Sequence, residues 1–193
     1  MKYQVREKIF RIGEDNDILN EAGQPVLKVD GKVLSLHNLM TVNDLAGTEV
    51  AQVSRKIMSL RATYDITVPG GASAEMHQRF TGPFHPKWNI SIAGGAEMEV
   101  GGNFAGHDFT VTANGQTVAT VSKAWISLAD SYGVDIVEGQ NDLLILCCVL
   151  ALEAEQDRAE AHDRDEGPLG GLGGGGLLGG GLGGLGDLLN RNT

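Results

Sequence analysis

The sequence predicts a mainly β domain. Two copies of one β-meander close around a shared core, a hydrophobic C-terminal helix runs through its centre, and a disordered tail follows. Three observations carry this prediction. Short strand-like runs recur about every ten residues, with turn residues between them. An 18-residue segment recurs at a constant offset of 68 residues. Near residue 143 begins a ten-residue run that is apolar on every side of a helix.

The strand candidates come first. Residues 8–12 form one, closed by the polar stretch Gly13-Glu14-Asp15-Asn16-Asp17. Residues 26–29 form another, and Asp30-Gly31 follows, the dipeptide favoured in type I′ hairpins because both central residues need φ > 0. That predicts a return strand at 33–36. Further candidates are 39–42, 49–54 and 62–68, with turns near Gly47 and at Pro69-Gly70-Gly71. This spacing fits a barrel or a sandwich.

The repeat aligns GTEVAQVSRKIMSLRATY (47–64) with GQTVATVSKAWISLADSY (115–132) without a gap. Gly, Val, Ala, Val, Ser, Ser, Leu and Tyr coincide, and Arg55 aligns with Lys123. A meander buries only one face, so two copies would close on each other.

The core filler is the run LLILCCVLAL (143–152), with Asn141 as the helix cap and Asp142 in the first turn. Spanning a bilayer takes about 20 apolar residues, so this run is too short. A helix rises about 1.5 Å per residue, so ten residues match the height of a small barrel. From Glu153 the chain turns polar, and this half of the helix is expected to leave the barrel for water. The barrel domain with its helix (about 141–160) is read as 1–160, and 161–193 as an acidic linker and Gly/Leu tail. Thirteen of the residues in 167–193 are Gly. Ordering backbone costs about 1–2 kcal/mol per residue and Gly returns no packing, so the tail is expected to stay flexible.

Charge and cysteine content exclude some functions. The formal net charge is −10, with 12 Lys/Arg against 17 Asp/Glu in 1–150 and 3 against 8 beyond. An acidic balance opposes nucleic-acid binding. Cys147 and Cys148 are adjacent, a poor geometry for bridging each other, and read as small core residues in a reducing compartment. The N-terminal residues carry charges every few positions and no apolar signal core. A cytoplasmic protein is expected.

Several of these pieces resemble the LURP-one-related family, within the Tubby C-terminal-like superfamily that includes the phospholipid scramblases. They are Tyr3-x-Val-x-Glu-Lys, GKVLSL from Gly31, the 53–66 segment with Ser59-Leu-x-x-x-Tyr64, its echo ending Tyr132-Gly-Val-Asp-Ile136, and the apolar helix. The resemblance covers about residues 1–155. It implies a twelve-stranded antiparallel β-barrel around a central hydrophobic helix.

No catalytic, cofactor or metal site is predicted. None of the five histidines has a partner at metal-motif spacing, and His107-Asp108 would point to opposite faces of a strand. Asp15-Asn16-Asp17 lacks the rest of a calcium loop and reads as a polar hairpin turn. Gly101 to Gly106 lacks the Lys-Ser/Thr of a phosphate loop and reads as a bend between strands. Ser54, Ser59, Ser122 and Ser127 recur with the repeat and lie in no nucleophile motif. Trp88 and Trp125 read as core or rim anchors, and Tyr64 and Tyr132 as residues closing equivalent corners. Arg55, Lys56, Arg61 and Lys123 form a candidate cationic patch, set against the plainer reading of solvated faces.

The resulting expectation is a non-enzymatic intracellular binding module, acting at a membrane surface or on a lipid-like ligand such as a phospholipid. The alternative is a protein-interaction or structural platform, with the barrel as the platform and the flexible Gly/Leu tail as a tether to a protein partner.

Overall fold

The structure is a computed structural model and describes residues 1–6, 16–32, 39–79, 87–123 and 131–165. Twelve strands form one closed antiparallel barrel. In chain order they are β1 (Lys2–Arg6), β2 (Asn16–Asn20), β3 (Pro25–Lys32), β4 (Leu39–Asn43), β5 (Glu49–Arg55), β6 (Thr63–Thr67), β7 (Ala74–Arg79), β8 (Lys87–Ile92), β9 (Glu97–Asn103), β10 (Asp108–Ala113), β11 (Gln116–Ser122) and β12 (Ser131–Ile136). Each pairs with its sequence neighbours, and β1 closes the ring on β12, with Val5 opposite Tyr132. The helix α1 (Asp142–Asp165) follows.

Inward and outward residues alternate along the strands. Met40 and Val42 of β4 face Val53 and Ala51 of β5 across the ladder, and all four are buried. Trp88 and Ile90, then Phe109 and Val111, continue the lining. Eight strands leave an interior that side chains alone just fill, and twelve leave more. A helix about 10–12 Å across supplies the missing volume. Leu144 to Leu152 are all buried, so this stretch of α1 is covered on every side, as its all-round apolarity predicts. Asn141 caps it, its Oδ1 accepting from the Leu144 N–H at 3.1 Å. The Tyr3 hydroxyl of β1 donates to Asp142 Oδ2 at 2.8 Å and ties the helix start to the wall. Cys147 and Cys148 are buried free thiols, and burial pushes the Cys147 thiol up to about 12.

The repeat falls where the alignment puts it. β5–β6 and β11–β12 lie six strands apart in a twelve-strand ring, on opposite walls. Ala51 and Ala119, Val53 and Val121, and Tyr64 and Tyr132 are equivalent and buried.

Two local expectations need correction. Asp30-Gly31 is not a hairpin turn: β3 runs through it, with Asp30 opposite Thr41 and Gly31 opposite Met40. The I′ dipeptide that does turn is Asn114-Gly115, where φ is 51° and 75°. Asp30 is the exposed residue after buried Val29, so alternation carries the strand through a sequence that would also suit a turn. Second, Asn16 and Asp17 open β2, Asp17 pairing with Lys28, and are not part of a turn. The strand β1 at Lys2–Arg6 is one that the sequence reading did not name. The expected strands at 8–12 and 33–36, like the tail from 167, lie outside the described residues.

The two ends of the barrel differ. Connections from even to odd strands are tight, with left-handed glycines at Gly23, Gly47, Gly70, Gly94 and Gly115. Asn20 and Asp44 each accept two backbone N–H groups in such turns. α1 enters at this end and emerges at the other, where β5 leads to β6 and β9 to β10.

Gly102 marks a close approach. Its φ is +143°, and a Cβ there would lie 2.6 Å from Phe109 Cα and 2.6 Å from the Asp108 carbonyl oxygen. Backbone cannot yield as a flexible side chain can. We expect Gly102→Ala to cost about 2–4 kcal/mol. For a domain of this size that lowers the thermal midpoint by roughly 5–15 °C, measurable by circular dichroism.

Candidate functional site

Among the described residues, the buried polar side chains Thr63, His107, Ser131 and Glu153 lie where α1 leaves the barrel. The expectation that everything from Glu153 onward meets water is wrong for the first turn. Glu153 is 4 % exposed. Glu155 is half-buried, and its Oε2 accepts from the Tyr64 hydroxyl at 2.8 Å and from Arg55 Nε at 3.1 Å. Glu153 Oε2 stands 2.9 Å from His107 Nε2, and the His107 ring stacks on Tyr132 with centroids 4.4 Å apart.

Helix period and repeat explain this arrangement together. Two residues on a helix differ by about 200° in direction, so Glu153 and Glu155 point to opposite walls. Those walls carry the equivalent tyrosines of the two repeat copies. Tyr64 and Tyr132, expected to close equivalent corners, are both buried at the starts of β6 and β12; Tyr64 meets the helix at Glu155, and Tyr132 lies against the His107 ring that contacts Glu153. Burial, then the Glu155 carboxylate, raises the Tyr64 phenol above its ordinary range, against the opposing pull of Arg55 and Arg158. The hydroxyl thus stays protonated as a donor.

His107 precedes β10 in a turn, with φ of 48°, rather than lying on a strand as expected. Left-handed backbone turns its ring inward while Asp108 stays exposed. The ring is closed in by Tyr132 and Glu153, with its Nδ1 buried and unbonded among the described residues. No group of three or more His, Cys, Asp or Glu side chains placed to hold a metal occurs among the described residues.

The four predicted cations are distributed as follows. Arg55 turns to Glu155. Lys56 Nζ bridges Glu75 at 2.5 Å and Asp65 at 3.2 Å, and the hydrogen bond from Lys56 lowers the Glu75 pKa. Arg61 is exposed in the β5–β6 loop. Lys123 follows β11, across the ring from the other three.

That loop carries a feature the sequence reading passed over. Ile57, Met58 and Leu60 are 57 %, 99 % and 102 % exposed. The loop is held at its base, with the Lys56 N–H donating to the Thr63 carbonyl at 2.9 Å and Ser59 Oγ 2.9 Å from Thr63 Oγ1. On the outer wall, an open recess of about 930 Å³ lies beside Lys87, Glu99, Gly101 and Phe104. Trp88 is a core anchor, whereas Trp125 and Ser127 lie outside the described residues. No helix among the described residues is long and apolar enough to cross a membrane.

Comparison with known proteins agrees with this architecture. The family model described as LURP-one-related matches residues 1–153, which takes in the barrel and the buried part of α1. An X-ray structure of a protein from Arabidopsis thaliana superposes with a TM-score of 0.53 at 12 % identity, covering 81 % of this chain and 92 % of that one. At that identity the likeness concerns the fold alone. Comparison with curated proteins gives no significant match.

Proposed function

Given that the chain belongs to the LURP-one-related family, we propose that it is a non-catalytic binding module that works through its outer surface, at a membrane or on a lipid-like ligand. The observation that carries this reading is the filled lumen. A twelve-strand barrel without α1 would enclose a cavity, but Leu144 to Leu152 occupy it, so binding falls to the exterior. The loop end, with its exposed apolar side chains, is the natural contact face. The resemblance to Tubby-like and scramblase domains supports the same class of partner by analogy. His107 fits a non-catalytic role, since it is committed to Glu153 beneath the Tyr132 ring.

Vesicle flotation tests the proposal. The purified protein is expected to rise with phosphatidylcholine vesicles, and no less when they contain a minority of phosphatidylserine. Protein that stays at the bottom of the gradient in both cases would remove the membrane from consideration.

A further inference from the structure

The proposed membrane role leaves open which atoms enter the lipid, and the β5–β6 loop answers that question. We propose that Ile57, Met58 and Leu60 form an insertion prong that enters the apolar layer of a phospholipid surface, a reading that rests on the function proposed above. Three observations on this loop converge.

The first is its apolar content. Met58 and Leu60 are fully exposed and Ile57 more than half, within four residues. The exposed apolar side chains at the opposite end, Met1, Leu45 and Val137, are 50–70 % exposed and come from three separate segments. Single exposed apolar residues are ordinary, whereas a cluster on one projection is not.

The second is that the loop is built. Lys56 N–H to the Thr63 carbonyl, Ser59 Oγ beside Thr63 Oγ1, and Gln78 N–H to the Ala62 carbonyl pin both legs of the loop to the sheet. The apolar side chains are held out in water by a hydrogen-bonded frame, so little ordering remains to be done on binding.

The third is the layering of charge. The tip is apolar. Lys56 and Arg61 flank it, and both are exposed. The carboxylates that neutralise Lys56, Asp65 and Glu75, lie on β6 and β7, further along the wall. An apolar tip flanked by basic side chains is the pairing that suits the hydrocarbon and phosphate layers of a leaflet. Because Lys56 is neutralised and the whole chain is acidic, the driving force is apolar, and anionic lipid is expected to add little.

The test compares wild type with Met58→Glu/Leu60→Glu in flotation with phosphatidylcholine vesicles, alone and with a minority of phosphatidylserine. Both altered side chains face water, so the thermal midpoint should not move. Partitioning should fall by at least about tenfold. As an independent readout, Leu60→Trp should be quenched by brominated phosphatidylcholine, beyond any quenching that wild type shows. Wild type that floats while the double variant floats equally well, or a tryptophan at 60 that bromolipid does not quench, would overturn the prong and leave the membrane role standing. Wild type that binds neither vesicle would overturn both.

Discussion

Leu146→Asp should fail to fold cooperatively. Leu146 is 2 % exposed, mid-way along the buried stretch of α1, with barrel wall on all sides. Losing a buried leucine costs about 2–5 kcal/mol. A carboxylate in its place has no partner, and burying it or forcing it to protonate costs several kcal/mol more. The sum matches the entire stability of a typical domain, about 5–15 kcal/mol. The expected result is loss of the thermal transition and of near-ultraviolet dichroism. A cooperative transition within a few degrees of wild type would mean that the lumen is not packed as described. Leu146→Met is the control, because a volume-conserving change costs less than about 1.5 kcal/mol.

Glu155→Ala should cost about 2–4 kcal/mol by chemical denaturation. It leaves the Tyr64 hydroxyl buried without its acceptor and Arg55 without its carboxylate. In that background, adding Tyr64→Phe should cost little more, because the hydroxyl has already lost its bond. A coupling of about 1–2 kcal/mol in the double-mutant cycle is expected, and strict additivity would refute the contact. Alkaline pH provides a second check. The Tyr64 phenol is raised by burial, and Tyr3 is raised to about 12 by burial and then by its bond to Asp142. Both phenols hold their protons more tightly in the folded state than in the unfolded one. Their contribution is therefore complete below about pH 10 and is lost as pH rises toward the folded values.

What the sequence revealed and what it hid follow from how each signal arises. The helix was legible because ten consecutive apolar residues admit few other readings. The repeat was legible because equal lining requirements on two walls keep the same residues at the same offset. The strand β1 was hidden because Lys2, Gln4 and Arg6 surround only two apolar residues, and the burial of Val5 depends on a partner far along the chain. Asp30-Gly31 misled because turn chemistry is local, whereas the register that carries β3 onward is set by β4. Glu153 and Glu155 read as ordinary solvated helix. The available clue was joint: two glutamates two residues apart on a buried helix, and two tyrosines at equivalent places in a repeat. Neither half of that clue means anything alone.

The closure of the ring also governs how the chain can come together as it is made. Lys2 pairs with Asp135, and the helix that fills the interior follows later still. At synthesis rates of about 5–20 residues per second, the lining of the first strands waits roughly 10–30 s for its covering. During that interval the growing chain is an open apolar sheet with two unpaired edges, the form most prone to sticking to its neighbours. The interval should demand a chaperone more than the finished molecule does. Stop codons placed between residues 136 and 152 should yield aggregates rather than smaller folded barrels.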